Sequence, residues 1–176
     1  MAEELNKRER FEQAMLPHMD AAYNLARWLT HNDHDAQDAV QEAYLRAYRF
    51  FESFRGGDSR TWLLAIVRNT CFTWIRRNRP SEQADVFDEQ VHSEERESAT
   101  PESLLLAEAD QALVRKALDE LPAAFREVLV LRELEGLSYK EIADVVGIPM
   151  GTVMSSLARA RKRLREALIK CLAKEP

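Results

Sequence analysis

Arg159, Arg161, Lys162, Arg163 and Arg165 place five cations in seven residues. At 3.6 residues per turn they cover most of a helix surface, so they cannot all face one row of bases. Such density suits phosphate oxygens, contacts that position a nucleic acid without reading its sequence. A solvated helix end is the plainer use of the same charges. A second run, Arg76-Arg77-Asn78-Arg79, closes a stretch that also holds Trp62 and Trp74. Cations that track a backbone beside aromatics that stack on bases suit an opened strand. Core packing is the competing use of both tryptophans, and the favoured one. Asp38, Gln41, Glu42 and Leu45 fall at i, i+3, i+4 and i+7, a polar-rimmed strip able to dock a coiled coil or simply to face water. Bond-making chemistry finds no footing. There is no Gly-rich phosphate loop, and no nucleophile has a plausible base. His31 and His34 lack a Cys or His cluster, so no metal site and no cofactor are expected.

The elements that must carry these side chains read as helices. Ala22, Leu25, Ala26 and Leu29 share a helical face, with Pro17 suited to the first turn. Asn32 or Asp33 can cap the next helix, whose stripe is Val40, Ala43, Tyr44, Ala47, Tyr48 and Phe51. Phe54-Arg55-Gly56-Gly57 breaks it. A third helix should bury Leu63, Ile66, Val67, Thr70 and Trp74 and stop at Pro80. Ser81 to Ser103 is poor in apolar residues and reads as a linker. Leu104 to Glu120 reads as one helix. Pro122 opens another, carrying Phe125, Val128, Leu129 and Leu131, and Gly136 ends it. No segment alternates like a strand. The expected fold class is all-α, two small helical domains joined by an acidic flexible linker.

Ser138-Tyr139-Lys140-Glu141 is a capping box, serine oxygen and glutamate each meeting an orphan amide. Counting from Tyr139, Ala143 is fifth, Gly147 ninth and Val153 fifteenth. That is helix-turn-helix spacing. The small residue lets two helices cross, the glycine takes a left-handed turn, and the apolar residue locks the second helix. Ile142, Val146, Ile148 and Leu157 would fill the space between them. A plain helical hairpin is the alternative. The second helix would start near Pro149 and offer its first residues to a major groove. Gly151-Thr152 would let its backbone approach a phosphate.

Composition frames these readings. The chain has 176 residues, 45 % hydrophobic and 31 % charged, with only five Gly and six Pro, which suits a helix-rich soluble protein of one or two small domains. The charged start from Met1 to Arg10 is unlike a signal peptide, and no apolar run could span a membrane. Cys71 and Cys171 read as reduced, buried thiols of a cytoplasmic protein. The net charge of −5 argues weakly against a DNA binder until its distribution is considered. Residues 80–103 hold one Arg against eight acidic side chains, while each flanking block is near neutral.

The run from Leu121 to Ala143 (LPAAFREVLVLRELEGLSYKEIA), then Gly151-Thr-Val and Arg159-Ala-Arg, resembles region 4 of sigma-70 family RNA polymerase sigma factors. Asp35 to Tyr48 (DAQDAVQEAYLRAY) resembles the polymerase-binding helix of region 2. Phe54-Arg-Gly, Thr61-Trp-Leu and Asn69 resemble its promoter-melting part. Two motif sets in this order, with no region 3 between them, resemble the extracytoplasmic-function (ECF) group.

The resemblance implies a domain 1–80 (region 2), an acidic linker 81–106 and a domain 107–176 (region 4). It implies an alternative sigma factor with no catalytic site of its own. Its partners would be core RNA polymerase, promoter DNA at −10 and −35, and an anti-sigma factor that responds to stress. The protein would be cytoplasmic, held at a membrane only through that anti-sigma factor, without direct insertion. Core polymerase would meet Asp38, Gln41, Glu42 and Leu45. The −10 element would meet Phe54, Arg60, Trp62, Asn69, Thr73, Arg76 and Arg77, with the loop from Phe54 to Arg60 capturing a flipped base. The −35 element would meet Arg132, Thr152, Ser155, Arg159 and Arg161. Met154 and Ser156 stand where relatives frequently carry cations, and Thr73 where many carry Asp. Fewer cations shift −35 recognition toward thymine methyls and A-tract shape. The linker's charge would mimic nucleic acid in the polymerase's basic RNA path.

Three other functions fit parts of the sequence. A two-component-style regulator would share the C-terminal motif but needs an α/β receiver, which the helical first block opposes. A sigma-like decoy that binds an anti-sigma protein and not DNA is opposed by Arg76, Arg77 and the cations after Arg159. An enzyme has little support.

Overall fold

The computed structural model describes residues 1–79 and 111–174. The expected linker, Pro80 as a helix stop, and residues 104–110 lie outside the described residues. Helices and turns make up the described residues, with no strand among them. Two compact units divide the chain.

The first unit is built on α1 (Ala2–Met15), α2 (Met19–Thr30), α3 (Asp33–Arg49) and α4 (Ser59–Asn78). α2, α3 and α4 pack on one another, and a short 3-10 turn, Leu16–His18, links α1 to α2. Leu25, Ala26 and Leu29 of α2 are fully buried, as are Ala36, Ala39, Ala43 and Ala47 of α3. The alanines let neighbouring helices approach closely. Asn32, not Asp33, caps α3: its side chain accepts from the amides of His34 (2.8 Å) and Asp35 (3.0 Å). α1 is absent from the sequence reading because its first three turns are almost all polar. Phe11 and Met15 anchor it. The Phe11 ring meets Tyr48 and Phe51 edge-on, with centroids 5.2 and 5.4 Å apart.

α4 differs from expectation in which face it buries. Leu63, Leu64, Val67, Thr70, Cys71 and Ile75 are inside, whereas Ile66 and Trp74 are half-buried. The face is rotated because α4 is covered by both α2 and α3, which widens the buried stripe toward Leu64 and Cys71. Asp58 caps its start, accepting from the Thr61 amide and hydroxyl.

The second unit is built on α5 (Gln111–Asp119), α6 (Ala123–Leu129) and α8 (Met150–Ala173), with α5 and α6 packed along α8. Between α6 and α8 lie a π-helical turn, Val130–Leu134, and α7 (Tyr139–Val146). The π turn closes with the Glu135 amide on the Val130 carbonyl (3.0 Å). Val128, Val130, Leu131, Leu137, Ile142 and Val153 are fully buried, and Leu157 nearly so. Each such side chain contributes roughly 1.5–3 kcal/mol on burial. Val145 is buried where Val146 was expected to be, and both Val146 and Ile148 are half-buried. A sequence face assigned by spacing alone can err by one position on a helix of two turns.

Arg126 and Glu127 are buried in α6, which their charge concealed in the sequence. Arg126 Nη1 donates to the Leu121 carbonyl (2.7 Å), closing the turn before α6.

Candidate nucleic-acid and partner interfaces

The i, i+3, i+4, i+7 strip of α3 is a real surface. Asp38, Gln41 and Leu45 are exposed, and Leu45 at 69 % exposure is a large apolar side chain facing solvent. These three border a groove of about 1040 Å³ bounded by α1, α2 and α3. Its floor includes Phe11, Tyr44 and Tyr48. Glu42 lies on the flank, half-buried and paired with Arg46 at 2.7 Å. The sequence reading missed the opposite wall, made by Arg8 and Glu12 of α1 with Leu16 and Met19. The spacing of Phe11 and Met15 was the available signal for that helix. Tyr44 donates to the Met15 carbonyl (2.9 Å), tying the two walls, and burial pushes its phenol up to about 12.

A second surface runs along α4. Trp62, Asn69, Thr73, Arg76 and Arg77 fall within one 100°-wide sector of this unbroken helix, roughly opposite the buried stripe. The span from Trp62 to Arg77 is about 22 Å, several nucleotides of extended strand. Asn69, Arg76 and Arg77 are exposed. Thr73 is half-buried, and its hydroxyl donates to the Asn69 carbonyl (2.9 Å), a bond internal to the helix. Arg68 stacks on Phe72 at 4.3 Å and Arg79 lies over Trp74 at 5.1 Å. Trp74 is thereby covered by a cation.

Phe54, Arg60 and Trp62 gather at the N-terminal end of α4. Rings run from Phe51 to Phe54 (6.0 Å, nearly parallel) and on to Trp62 (5.2 Å, tilted). Trp62 is half-buried against Phe54 rather than sunk in the core, so one face packs. The intervening residues 55–58 are exposed, and Gly56 and Gly57 take φ of 83° and 97°, a course open to glycine at little cost. The loop is held at both ends and open at its tip.

The helix-turn-helix is formed as its spacing requires. The Ser138 hydroxyl accepts from the Glu141 amide (3.1 Å), and the Glu141 carboxylate accepts from the Ser138 amide (3.0 Å). Gly147 sits at φ 77°, and the Ile148 amide returns to the Ala143 carbonyl (3.2 Å). Pro149 then caps α8.

The expected −35 residues divide into two kinds. Arg132 is bound within the motif: its guanidinium donates to the Leu137 carbonyl (2.9 Å) and stacks on Tyr139 at 4.7 Å. Arg161 pairs with Glu133 at 3.1 Å, both side chains about one-fifth exposed. The π turn brings Arg132 and Glu133 to these adjacent tasks, which no spacing rule foretells. Arg159 is half-buried and makes no ion pair among the described residues. Thr152 is half-buried, and its carbonyl accepts from Ser155 (3.1 Å) and Ser156 (2.6 Å). Ser156 is fully buried, so its difference from relatives bears on packing and not on an outward DNA face. Among the described residues, no three His, Cys, Asp or Glu side chains gather as metal ligands, and no helix is long and apolar enough to cross a membrane.

Comparison with known proteins follows the same division. Residues 15–81 match the family model of sigma-70 region 2, and residues 111–164 that of sigma-70 region 4. The ECF RNA polymerase sigma-E factor of Escherichia coli is 38 % identical over 137 residues, covering 74 % of this chain and 72 % of that protein. The ECF RNA polymerase sigma factor SigE of Mycolicibacterium smegmatis is 34 % identical over 160 residues, 91 % of this chain. The match spans 62 % of that longer relative. Among solved structures, the sigma factor RpoE of Bartonella quintana, in complex with the anti-sigma factor NepR, aligns with a TM-score of 0.69 and 30 % identity. The alignment covers 91 % of this chain and 97 % of that one.

Proposed function

Because the chain belongs to the sigma-70 family of RNA polymerase sigma factors, ECF group, we propose that it is an alternative sigma factor: it binds core polymerase and directs it to selected promoters. The observation that carries this reading is the presence of two distinct surfaces in one chain. One is the aromatic and cationic flank of α4, the other the helix-turn-helix ending in the cations of α8. Residues 1–80 would serve the −10 element and polymerase, residues 107–176 the −35 element, and residues 81–106 would connect them.

The mechanism follows from the geometry. Asp38, Gln41 and Leu45 offer an apolar centre with a polar rim along the α3 groove, and Glu42 extends it; a helical hairpin of polymerase would lie there. Docking brings α4 against the −10 duplex. The loop between Phe54 and Arg60 is open at its tip and anchored by stacked rings, which suits capture of one flipped base. Extrusion costs a few kcal/mol, of the order of one stacking contact with its hydrogen bonds. The site can therefore select a base as it melts the duplex. Asn69 would read a neighbouring base edge, Thr73 would lie beside the strand, and Arg76 and Arg77 would hold phosphates. In the second unit, Thr152, Ser155 and Arg159 meet the −35 groove. Phosphodiester synthesis remains with the polymerase.

An anti-sigma factor is proposed as regulator in the cytoplasm, supported by the likeness to a sigma factor solved with one. The exposed Leu45, Leu16 and Met19 suit burial by such a partner in competition with polymerase. The decisive experiment is run-off transcription with sigma-free core polymerase on a fragmented genomic template. Defined start sites that depend on the added protein are expected. Start sites no different from core alone would reject the function.

A further inference from the structure

The N-terminal part of α8 differs in chemistry from the rest of the helix. Residues 150–158 (MGTVMSSLA) hold no charged side chain, and the first cation is Arg159. Within this segment Val153, Ser156 and Leu157 turn inward. Met150 and Met154, one turn apart, are each 52 % exposed. Gly151 is exposed beside them, and Ser155 is half-buried with its hydroxyl on the Thr152 carbonyl. Two nearby cations are held elsewhere. Arg132 is held by Leu137 and Tyr139, and Arg161 by Glu133. A recognition helix enters the major groove with its N-terminal residues against base edges. The exposed apolar surface of this segment is therefore two flexible thioethers, with no charged side chain inside the segment.

We propose that Met150 and Met154 are specificity-determining residues that read the C5-methyl groups of thymines in the −35 element. This inference rests on the sigma-factor reading and deepens it. In the major groove, thymine's methyl is the apolar feature of a base pair, whereas guanine offers two acceptors that call for Arg or Lys. Methionine is unbranched and polarisable, so it follows an irregular row of methyls. Arg159, with the exposed Lys162 and Arg163, supplies the phosphate contacts that hold this uncharged tip in register. The division of labour along one helix is thus apolar base reading first, electrostatic anchoring after. Met150 was not singled out by sequence because an exposed Met and a core Met look alike until burial is known.

The test uses the full chain with core polymerase. Promoters are first selected from duplexes randomised across the −35 region. Thymine is then replaced by deoxyuridine at each selected position, which removes one methyl and leaves the base pair intact. We expect an element with thymines at the contacted positions. Deoxyuridine should weaken binding about fourfold per methyl, the equivalent of one buried methylene-sized group. In Met150→Ala/Met154→Ala, the thymine and deoxyuridine probes should bind alike. Equal binding of both probes by the unaltered protein would overturn the proposal and favour recognition of duplex shape. So would a selected element without thymine. Selection of no element at all would sink the sigma-factor reading itself, an outcome separate from either.

Discussion

Arg159 and Arg161 are two residues apart on α8, yet they should behave differently on DNA. Arg161 is paired with Glu133 at 3.1 Å, and both side chains are about one-fifth exposed. To reach a phosphate it must leave that carboxylate, forfeiting up to about 1 kcal/mol for a pair that is partly in contact with water. Arg159 has no ion pair to break among the described residues. Each phosphate neutralised contributes about 0.9 to the slope of log K against log salt. Between 50 and 200 mM salt, one such contact changes affinity by about 3.5-fold. Arg159→Ala should therefore flatten the slope by about 0.9. If its guanidinium also forks onto a base, binding should weaken by about 1–3 kcal/mol at fixed salt. Arg161→Ala should leave the slope nearly unchanged and instead lower thermal stability. The assay is fluorescence-anisotropy titration of a −35/−10 duplex by holoenzyme across that salt range. Equal slope losses for Arg159→Ala and Arg161→Ala would refute the reasoning.

Three further outcomes follow from other parts of the structure. Leu45→Arg combined with Asp38→Lys should weaken binding to core polymerase at least tenfold in a co-elution or anisotropy assay, while circular dichroism stays native, because both side chains are exposed. Phe11→Ala should destabilise the first unit by about 3–5 kcal/mol in chemical denaturation, since the ring is buried against Tyr48 and Phe51. Burial raises the Tyr44 phenol from its ordinary value near 10 to about 12, so its stabilising contribution should be full below pH 10 and fall away as pH rises toward 12. Tyr44→Phe should flatten that alkaline decline, and an unchanged pH profile would refute the assignment.

The sequence alone determined the kinds of element and the helix-turn-helix. Apolar residues three and four apart, with Gly and Pro only at breaks, leave a helix as the one way to bury a continuous stripe. Gly147 and the Ser138–Glu141 pair are local: their geometry depends on a few neighbouring residues, so type and spacing suffice. The motif sets of both regions were legible for the same reason. Tertiary structure alone decided how wide each buried stripe is and which partner each polar group takes. Leu64 and Cys71 are inside because two helices, not one, cover α4. α1 carries only a weak signal, the Phe11–Met15 spacing, because those two anchors find their partners some thirty to forty residues away on α3 and in the turn after it. Arg126 is buried with the Leu121 carbonyl receiving its guanidinium. Arg132 and Arg161, alike in sequence to any DNA-facing cation, are held by Leu137 and Tyr139 and by Glu133, which follow or lie in the π-helical turn. A long charged side chain can reach many places, and only the positions of distant acceptors select among them.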